Sequence, residues 1–430
     1  MKKINNVRIC IIGAGYVGLP LAVAFARKFS VVAIDKDVQR ITSLRNFFDQ
    51  TEEVSEAELK EVMRKSSDNR PGLYLTSDIT EAADSDVFVV TVPTPLDEFK
   101  SPDLGPLINA SLSVGSVMRR NSIVIFESTV YPGCTEEICV PRLEQASGLS
   151  FGKDFYCGYS PERINPGDKN KKLKDIPKVT SGSDEVTRRF VDDLYNQIID
   201  AGTHSAPSIK VAEASKVVEN CQRDLNISFF NELAVICDRL DMSVYEVIEA
   251  ASSKWNFVRM VPGLVGGHCI GVDPYYLVHK AQSVGYHPDV ILSGRRVNES
   301  MPRFIVSKLV RLMIQHDLSI RGKDVLILGL TFKENCHDLR ESKSFALAEE
   351  FESYKFNVHL HDPWAFPEEV VRESGRTVVA SLGRYDIIVL AVAHESFLSM
   401  DFPSLLKDDK GIIFDLKNSL KIKNLKVYTL

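Results

Sequence analysis

A chain of 430 residues with 44% apolar, 26% charged and 9% aromatic residues has ordinary globular composition, which excludes a disordered, collagen-like or disulfide-stapled protein. At about 100 to 200 residues per domain the length predicts two to four domains. The 52 Lys and Arg against 58 Asp and Glu leave a net charge of −6, so electrostatics call for neither nucleic acid nor an acidic membrane, and any phosphate must be held by local geometry.

Eight cysteines stand at 10, 134, 139, 157, 221, 237, 269 and 336 with no CxxC pair, a usage that reads as a reducing compartment. Met1 to Val7 carries two lysines, but the apolar run behind it is short and leads straight into Gly13-Ala14-Gly15. It reads as a core strand rather than a signal peptide, and no window is apolar over the roughly 18 residues a membrane span needs. The expectation is a cytoplasmic protein.

In chain order, the apolar, β-branched run Val7 to Ile12 predicts a strand buried on both faces. A helix follows over Leu19 to Phe29, then a strand Val31 to Ile34 that ends at Asp35, completing a βαβ unit. Val87 to Val92 and Ile123 to Phe126 add strands to a doubly wound sheet. From Ile209 to Leu240 there is no Pro or Gly, and Val211, Ala214, Val217, Val218, Cys221 and Leu225 recur at helical spacing, predicting one helix of roughly 30 residues. Helices are predicted at Val244 to Ala251 and at Pro288 to Asp317, the latter with a turn or kink at Met301-Pro302. Strand and helix then alternate again: strands at Val325 to Gly329, Val358 to Asp362, Asp386 to Val392 and Gly411 to Asp415, and a helix at Ser342 to Phe351. The expected fold is α/β, two Rossmann-like doubly wound domains joined by a long central helix and a helical middle domain, divided at 1–200, 201–317 and 318–430. Lys169 to Lys174 is the one charge run and reads as a solvated loop.

Gly13-Ala14-Gly15-Tyr16-Val17-Gly18 is G-x-G-x-x-G between a strand and a helix, with Asp35 at the end of the next strand. That context points to a dinucleotide: the first glycine permits the turn, the second admits the pyrophosphate and the third packs helix on strand. A carboxylate at Asp35 favours NAD over NADP, although Lys36 and Arg40 nearby leave NADP open. Gly266-Gly267-His268-Cys269 precedes Asp273, and flanking glycines suit close approach of a ligand to a reactive thiol, against the alternative of a buried structural cysteine. Lys216 and Asn220 lie one turn apart on one helix face. Three polar loops remain, Glu127 to Gly133, Ser160 to Gly167 and Thr331 to Ser342; the first and third follow strands at their carboxyl ends, where open sheets hold ligands.

Taken in order, these motifs resemble the UDP-glucose/GDP-mannose dehydrogenase family over nearly the whole chain. Within it, Ser160 to Gly167 and Gly263 to Tyr276 look like the UDP-N-acetylhexosamine 6-dehydrogenases, and Pro166 stands where UDP-glucose enzymes typically carry a second acid. The resemblance implies a twofold, NAD-dependent oxidation of a sugar C6 alcohol to a carboxylate, without metal. Cys269 matches the nucleophile, Lys216 and Asn220 the oxyanion donors, Asp273 the acid that holds water, Glu162 the acid of thioester hydrolysis and Thr129 the residue that holds a catalytic water. Gly13, Gly15, Tyr16, Val17, Gly18, Asp35, Arg40, Thr94, Thr129 and Arg340 are implied at the cofactor. Glu162, Arg163, Lys216, Asn220, Phe257, Arg259, Gly263, Gly266 and Lys333 are implied at the sugar nucleotide, Arg259 replacing an arginine that close relatives carry where Val261 stands here. The implied substrate is UDP-N-acetylglucosamine, with the galactosamine, mannosamine and glucose derivatives as alternatives, for bacterial surface polysaccharide synthesis. The long helix is expected to form a homodimer interface. A single-hydride dehydrogenase of the 6-phosphogluconate type shares the first domain but has no use for Cys269, and a redox sensor needs none of Lys216, Asn220, Glu162 and Asp273.

Overall fold

The computed structural model describes residues 4–66, 68, 70–163, 172–267, 270–422 and 426–430. They form two compact units, residues 1–219 with 275–285 and residues 220–274 with 286–430.

In the first unit the strands are β1 (Arg8–Ile12), β2 (Ser30–Ile34), β3 (Gly72–Thr76), β4 (Val87–Val90), β5 (Ile123–Phe126), β6 (Tyr156–Tyr159), β7 (Lys178–Gly182) and β8 (Thr203–Ser205). They lie in the order β3-β2-β1-β4-β5-β6-β7-β8. β1 pairs in parallel with both β2 and β4, so the chain reverses its winding at β1, and a crevice opens at the carboxyl ends of β1 and β4. β1, β2, β4 and β5 are buried at every position, which is why they read as unbroken apolar runs rather than alternating ones. β7 runs antiparallel to β6, with Tyr159 opposite Ser181.

The second unit holds β9 (Asp324–Leu328), β10 (Asn357–His361), β11 (Ile387–Leu390), β12 (Ile412–Asp415) and β13 (Val427–Thr429), all paired in parallel in the order β10-β9-β11-β12-β13. Its switch point lies between β9 and β11. Phe230, Ala234, Val244, Met301 and Leu309 share one apolar cluster with Val325 and Leu347, so in this unit the central helices and the second sheet are built on one core.

The long helix spans Ile209–Arg239, 31 residues. The helix Asp289–Gln315 runs through Pro302, where a turn or kink was expected. Proline removes one backbone donor and crowds the carbonyl four residues back. Met301, Ile305, Val306 and Leu309 around it are fully buried, and that packing carries the helix across the defect. Among the described residues no helix is long and apolar enough to cross a membrane.

Candidate active site

The glycine loop leaves β1 at Ile12 and enters the helix Gly18–Ala26. Gly13 has φ +100°, a conformation that a Cβ would strain. A Cβ on Gly18 would lie 1.9 Å from the Gly13 carbonyl oxygen and 2.4 Å from Thr91 Oγ1, so the helix sits against the strand as closely as backbone allows. At Gly15 a Cβ would meet nothing within 4 Å among the described residues, and that face is open for a ligand. Val17, the residue that caps this helix, offers no side-chain acceptor, and the first turn is free of acids. No capping side chain therefore competes with an anion for the positive end of the helix dipole.

Asp35, half-buried at the end of β2, accepts from Ala14 N at 2.8 Å and from Asp37 N at 2.9 Å, which ties the acid to the loop. Arg40 turns inward: it is 8% exposed, its Nε donates to the Ala14 carbonyl at 2.9 Å and its Nη2 lies 2.7 Å from Asp49. It braces the loop from behind instead of facing a 2′-phosphate, because a buried guanidinium needs an anionic partner and Asp49 supplies one. The open Gly15 face, the uncapped helix and the half-exposed Asp35 carboxylate fit NAD.

The acid that ends the second strand of the other sheet behaves differently. Asp362 is 5% exposed and accepts from Thr331 N at 3.1 Å, Trp364 N at 2.7 Å, Leu330 N and His394 Nε2. Burial works against its charge, but the His394 hydrogen bond and the backbone donors outweigh it and hold the carboxyl below its usual range. The helix Lys343–Ser353 is capped by the Ser342 hydroxyl. Among the described residues, acid and helix end are thus both taken up by protein groups, unlike the half-exposed Asp35 and the helix without a side-chain cap in the first unit.

In the first unit Thr94 Oγ1 donates to the Thr129 carbonyl at 2.7 Å, and Tyr276 OH donates to the Thr94 carbonyl at 2.8 Å, so both threonines sit on loops fixed to each other. Tyr16 is half-buried and Val17 buried in the glycine loop. Glu162 is 8% exposed, Arg163 lies 3.7 Å from Glu219 on the long helix, and Lys216 on the same helix is 8% exposed. Glu213, one turn before Lys216, accepts from Gly133 N and from Thr135 N at 2.8 Å and so holds the end of the Thr129 loop.

Burial pushes the Glu213 carboxyl up to about 7, against the pull of those donors. Between the ordinary carboxyl range and about 7 the folded chain keeps a proton that the unfolded chain has lost, so stability falls as pH rises through that window, by up to about 1.4 kcal/mol per unit. Denaturant titrations at pH 5 and pH 7 are expected to show wild type losing stability relative to Glu213→Gln; equal slopes for both proteins would contradict it.

In the second unit Asn220 Nδ2 donates to Asp273 Oδ2 at 2.5 Å, with both residues buried. Asp273 opens the helix Asp273–Ser283, so the structure joins two candidates that lie 53 residues apart in sequence. Below them runs a buried chain of polar groups. Arg295 and Asn298 both donate to Asp224 at 2.7 Å, Asn231 donates to Asn298 at 2.8 Å, and Asn231 accepts from Gly263 N at 2.8 Å. The two long helices thereby fix the loop that carries Phe257, Arg259, Gly263 and Gly266.

Phe257 meets Phe230 edge-on at 5.9 Å, and Arg259 is exposed. Cβ atoms on Gly266 and Gly267 would approach the Glu341 carbonyl oxygen at 2.8 Å and the Phe332 ring at 2.7 Å, so the loop lies directly on the segment after β9. Lys333 stands over Phe332 at 5.4 Å, and Arg340 forks onto Asp338. Cys269, the 164–167 part of the Ser160 to Gly167 loop, and Lys169 and Lys171 of the charge run lie outside the described residues.

Sequence reasoning missed Asp224, Asn231, Arg295 and Asn298. The signal was present: Asn220, Asp224 and Asn231 recur on one face of a helix whose neighbouring positions are apolar. It also missed Lys417, which lies beside Gly263 and pairs with Glu334.

Residues 7–199, 210–300 and 326–422 match the NAD-binding, central and UDP-binding domains of the UDP-glucose/GDP-mannose dehydrogenase family. The chain belongs to this family. It is an oxidoreductase that acts on a nucleotide sugar with NAD. It is 52% identical to a UDP-N-acetyl-D-glucosamine 6-dehydrogenase of Pseudomonas aeruginosa over 96% of this chain and 97% of that one. It is 49% identical to a UDP-N-acetyl-D-glucosamine 6-dehydrogenase of Salmonella typhi over 97% of each. The solved structure of a UDP-D-ManNAc dehydrogenase from Pyrococcus horikoshii superposes with a TM-score of 0.85 at 30% identity, over 98% of each chain.

Proposed function

We propose that the protein oxidises the C6 hydroxyl of UDP-N-acetylglucosamine to the carboxylate, acting in the cytoplasm and feeding bacterial surface polysaccharide synthesis. The observation that carries this reading is the near-full-length likeness to the two UDP-N-acetylglucosamine enzymes. NAD, held by Gly13 to Gly18 and Asp35, supplies the acceptor for the hydride that leaves C6 in each of two oxidations, and the hydroxyl proton lost in the first passes to water.

Lys216 and Asn220 donate to the C6 oxygen as it gains charge, an effect that depends on donors fixed in advance. The Asn220 to Asp273 hydrogen bond supports that role, since it fixes the amide. The Cys269 thiolate adds to the aldehyde carbon to give a thiohemiacetal, whose oxidation leaves a thioester. Water adds to the acyl carbon, the C–S bond breaks, the sulfur leaves as thiolate and the proton of the water passes to Glu162. Thr129 and Asp273 hold water for this step. Lys333 and the Phe257 to Gly266 loop hold the sugar nucleotide, with Arg163, Arg259 and Glu162, while Arg340 and Thr94 reach the cofactor. The division at 1–200, 201–317 and 318–430 assigns NAD to the first part and UDP to the last.

The seven described cysteines are buried, and burial pushes the Cys221 thiol up to about 12, so these are poor nucleophiles, which supports giving the chemistry to Cys269. Val211, Val218, Phe229 and Ile236 are each about half exposed and fall on one face of the long helix, a row that supports a homodimer built on this helix.

Counting NADH formed per UDP-sugar consumed tests the reaction. Two are expected; one would indicate a single-hydride dehydrogenase. Turnover of UDP-N-acetylglucosamine compared with the galactosamine, mannosamine and glucose derivatives tests the substrate, with the first expected to give the highest kcat/KM.

A further inference from the structure

We propose that Lys178, anchored by Glu127 and Tyr195, is a positioning residue that holds Glu162 in place for hydrolysis of the Cys269 thioester. This deepens, and rests on, the roles given above to Glu162 and Cys269. Three ionisable side chains meet here with almost no solvent access: Glu127 is 1% exposed, Lys178 2% and Glu162 8%. Lys178 Nζ donates to Glu127 Oε2 at 2.7 Å and to the Pro161 carbonyl at 3.1 Å, and lies 4.0 Å from Glu162 Oε2. It also stands over the Tyr195 ring at 5.4 Å, while Tyr195 OH donates to the second oxygen of Glu127.

Topology explains the meeting. Glu127 directly follows β5, and Glu162 leaves the carboxyl end of β6, the edge at which open sheets hold ligands. β7 is antiparallel to β6, so its first residue lies at that same edge, and continuing the pairing of Tyr159 with Ser181 sets Lys178 opposite Glu162. A parallel β7 would have put the lysine at the far end of the sheet.

A buried ion pair adds little stability compared with apolar residues of the same volume, whereas removing one partner strands the other charge. Stability alone therefore does not account for a lysine and a glutamate sealed behind a candidate catalytic acid. Burial pushes the Glu127 carboxyl up, with Lys178 pulling against it. Glu127 and Tyr195 hold the ammonium from behind, and the ammonium holds Pro161 and Glu162 from in front. The carboxylate that takes the proton of the hydrolytic water is thereby fixed at both its backbone and its charge.

The test is rapid-quench turnover with intact-protein mass spectrometry on Lys178→Met, Lys178→Arg and Glu162→Gln, each checked for folding by circular dichroism. Lys178→Met is expected to give a burst of NADH, a steady rate at least about tenfold lower, a KM within about threefold of wild type and a covalent acyl adduct on the chain. Lys178→Arg is expected to recover most of the rate and to lose the adduct. A purely structural lysine would slow every step without accumulation. If Lys178→Met does not fold, Glu127→Gln/Lys178→Met, which buries neither charge alone, is read in its place. An adduct in Glu162→Gln but none in the folded lysine variant overturns the proposal while leaving the role of Glu162 intact. Wild-type acid production by Glu162→Gln with no adduct overturns the reading beneath it, and the proposal falls with that reading.

Discussion

Serine at position 269 is expected to lower production of the uronate by at least about a thousandfold while leaving NADH affinity unchanged. A hydroxyl is far less ionised than a thiol at neutral pH and is a poorer leaving group, so neither the adduct with the aldehyde nor its release as an acyl product is easily formed. The Cys269→Ser protein is then limited to at most one oxidation per sugar. Fluorescence titration with NADH and mass spectrometry of the sugar products check both halves of this expectation. A Cys269→Ser enzyme that kept more than a tenth of the wild-type acid production would show that the second oxidation does not pass through sulfur. No other described cysteine is placed to substitute, since all seven are buried.

The second large effect separates two glycines of one loop. In Gly18→Ala the added Cβ would overlap the Gly13 carbonyl oxygen at 1.9 Å and Thr91 Oγ1 at 2.4 Å, and the first of these is backbone that cannot turn aside. Either the helix Gly18–Ala26 lifts from β1 or the loop changes shape, with an expected loss of stability of about 1 to 3 kcal/mol and of NADH affinity by about a hundredfold. In Gly15→Ala the Cβ meets no atom within 4 Å among the described residues, so the fold is expected to be unaffected. That Cβ does enter the space through which a pyrophosphate reaches the helix amides, so NADH affinity is expected to fall by about tenfold or more. Thermal denaturation and NADH titration of both variants check the contrast. Equal melting temperatures for the two would contradict the packing argument, and unchanged affinity in Gly15→Ala would contradict the placement of the cofactor.

Much of the scaffold was legible because it is built from local signals. β1, β2, β4 and β5 are buried on both faces, and a strand so placed shows as a short β-branched run. The long helix could be read because neither Pro nor Gly interrupts an apolar repeat over 31 residues. Strands β3, β6, β7, β8 and β13 were missed. β3, β6 and β7 each include glycine, β7 begins with a lysine, and β8 and β13 have three residues each, so none carries a long β-branched run. Proline at 302 predicts a turn or kink, and the chain stays helical on both sides of it because buried neighbours offset one lost hydrogen bond.

The sequence by itself determined which half binds the dinucleotide, since glycine spacing, strand context and Asp35 lie within one βαβ unit whose geometry is local. The order of motifs likewise determined the family, without any three-dimensional information. Contacts between distant segments could be decided only by the tertiary structure. The bond from Asn220 to Asp273, the support of the Gly263 loop by Asn231, the inward turn of Arg40 and the meeting of Glu127, Lys178 and Glu162 all join groups whose spacing in the chain carries no periodic signal. They exist because buried polar groups must find partners, and which partners are within reach is set by strand order and direction rather than by neighbouring residues.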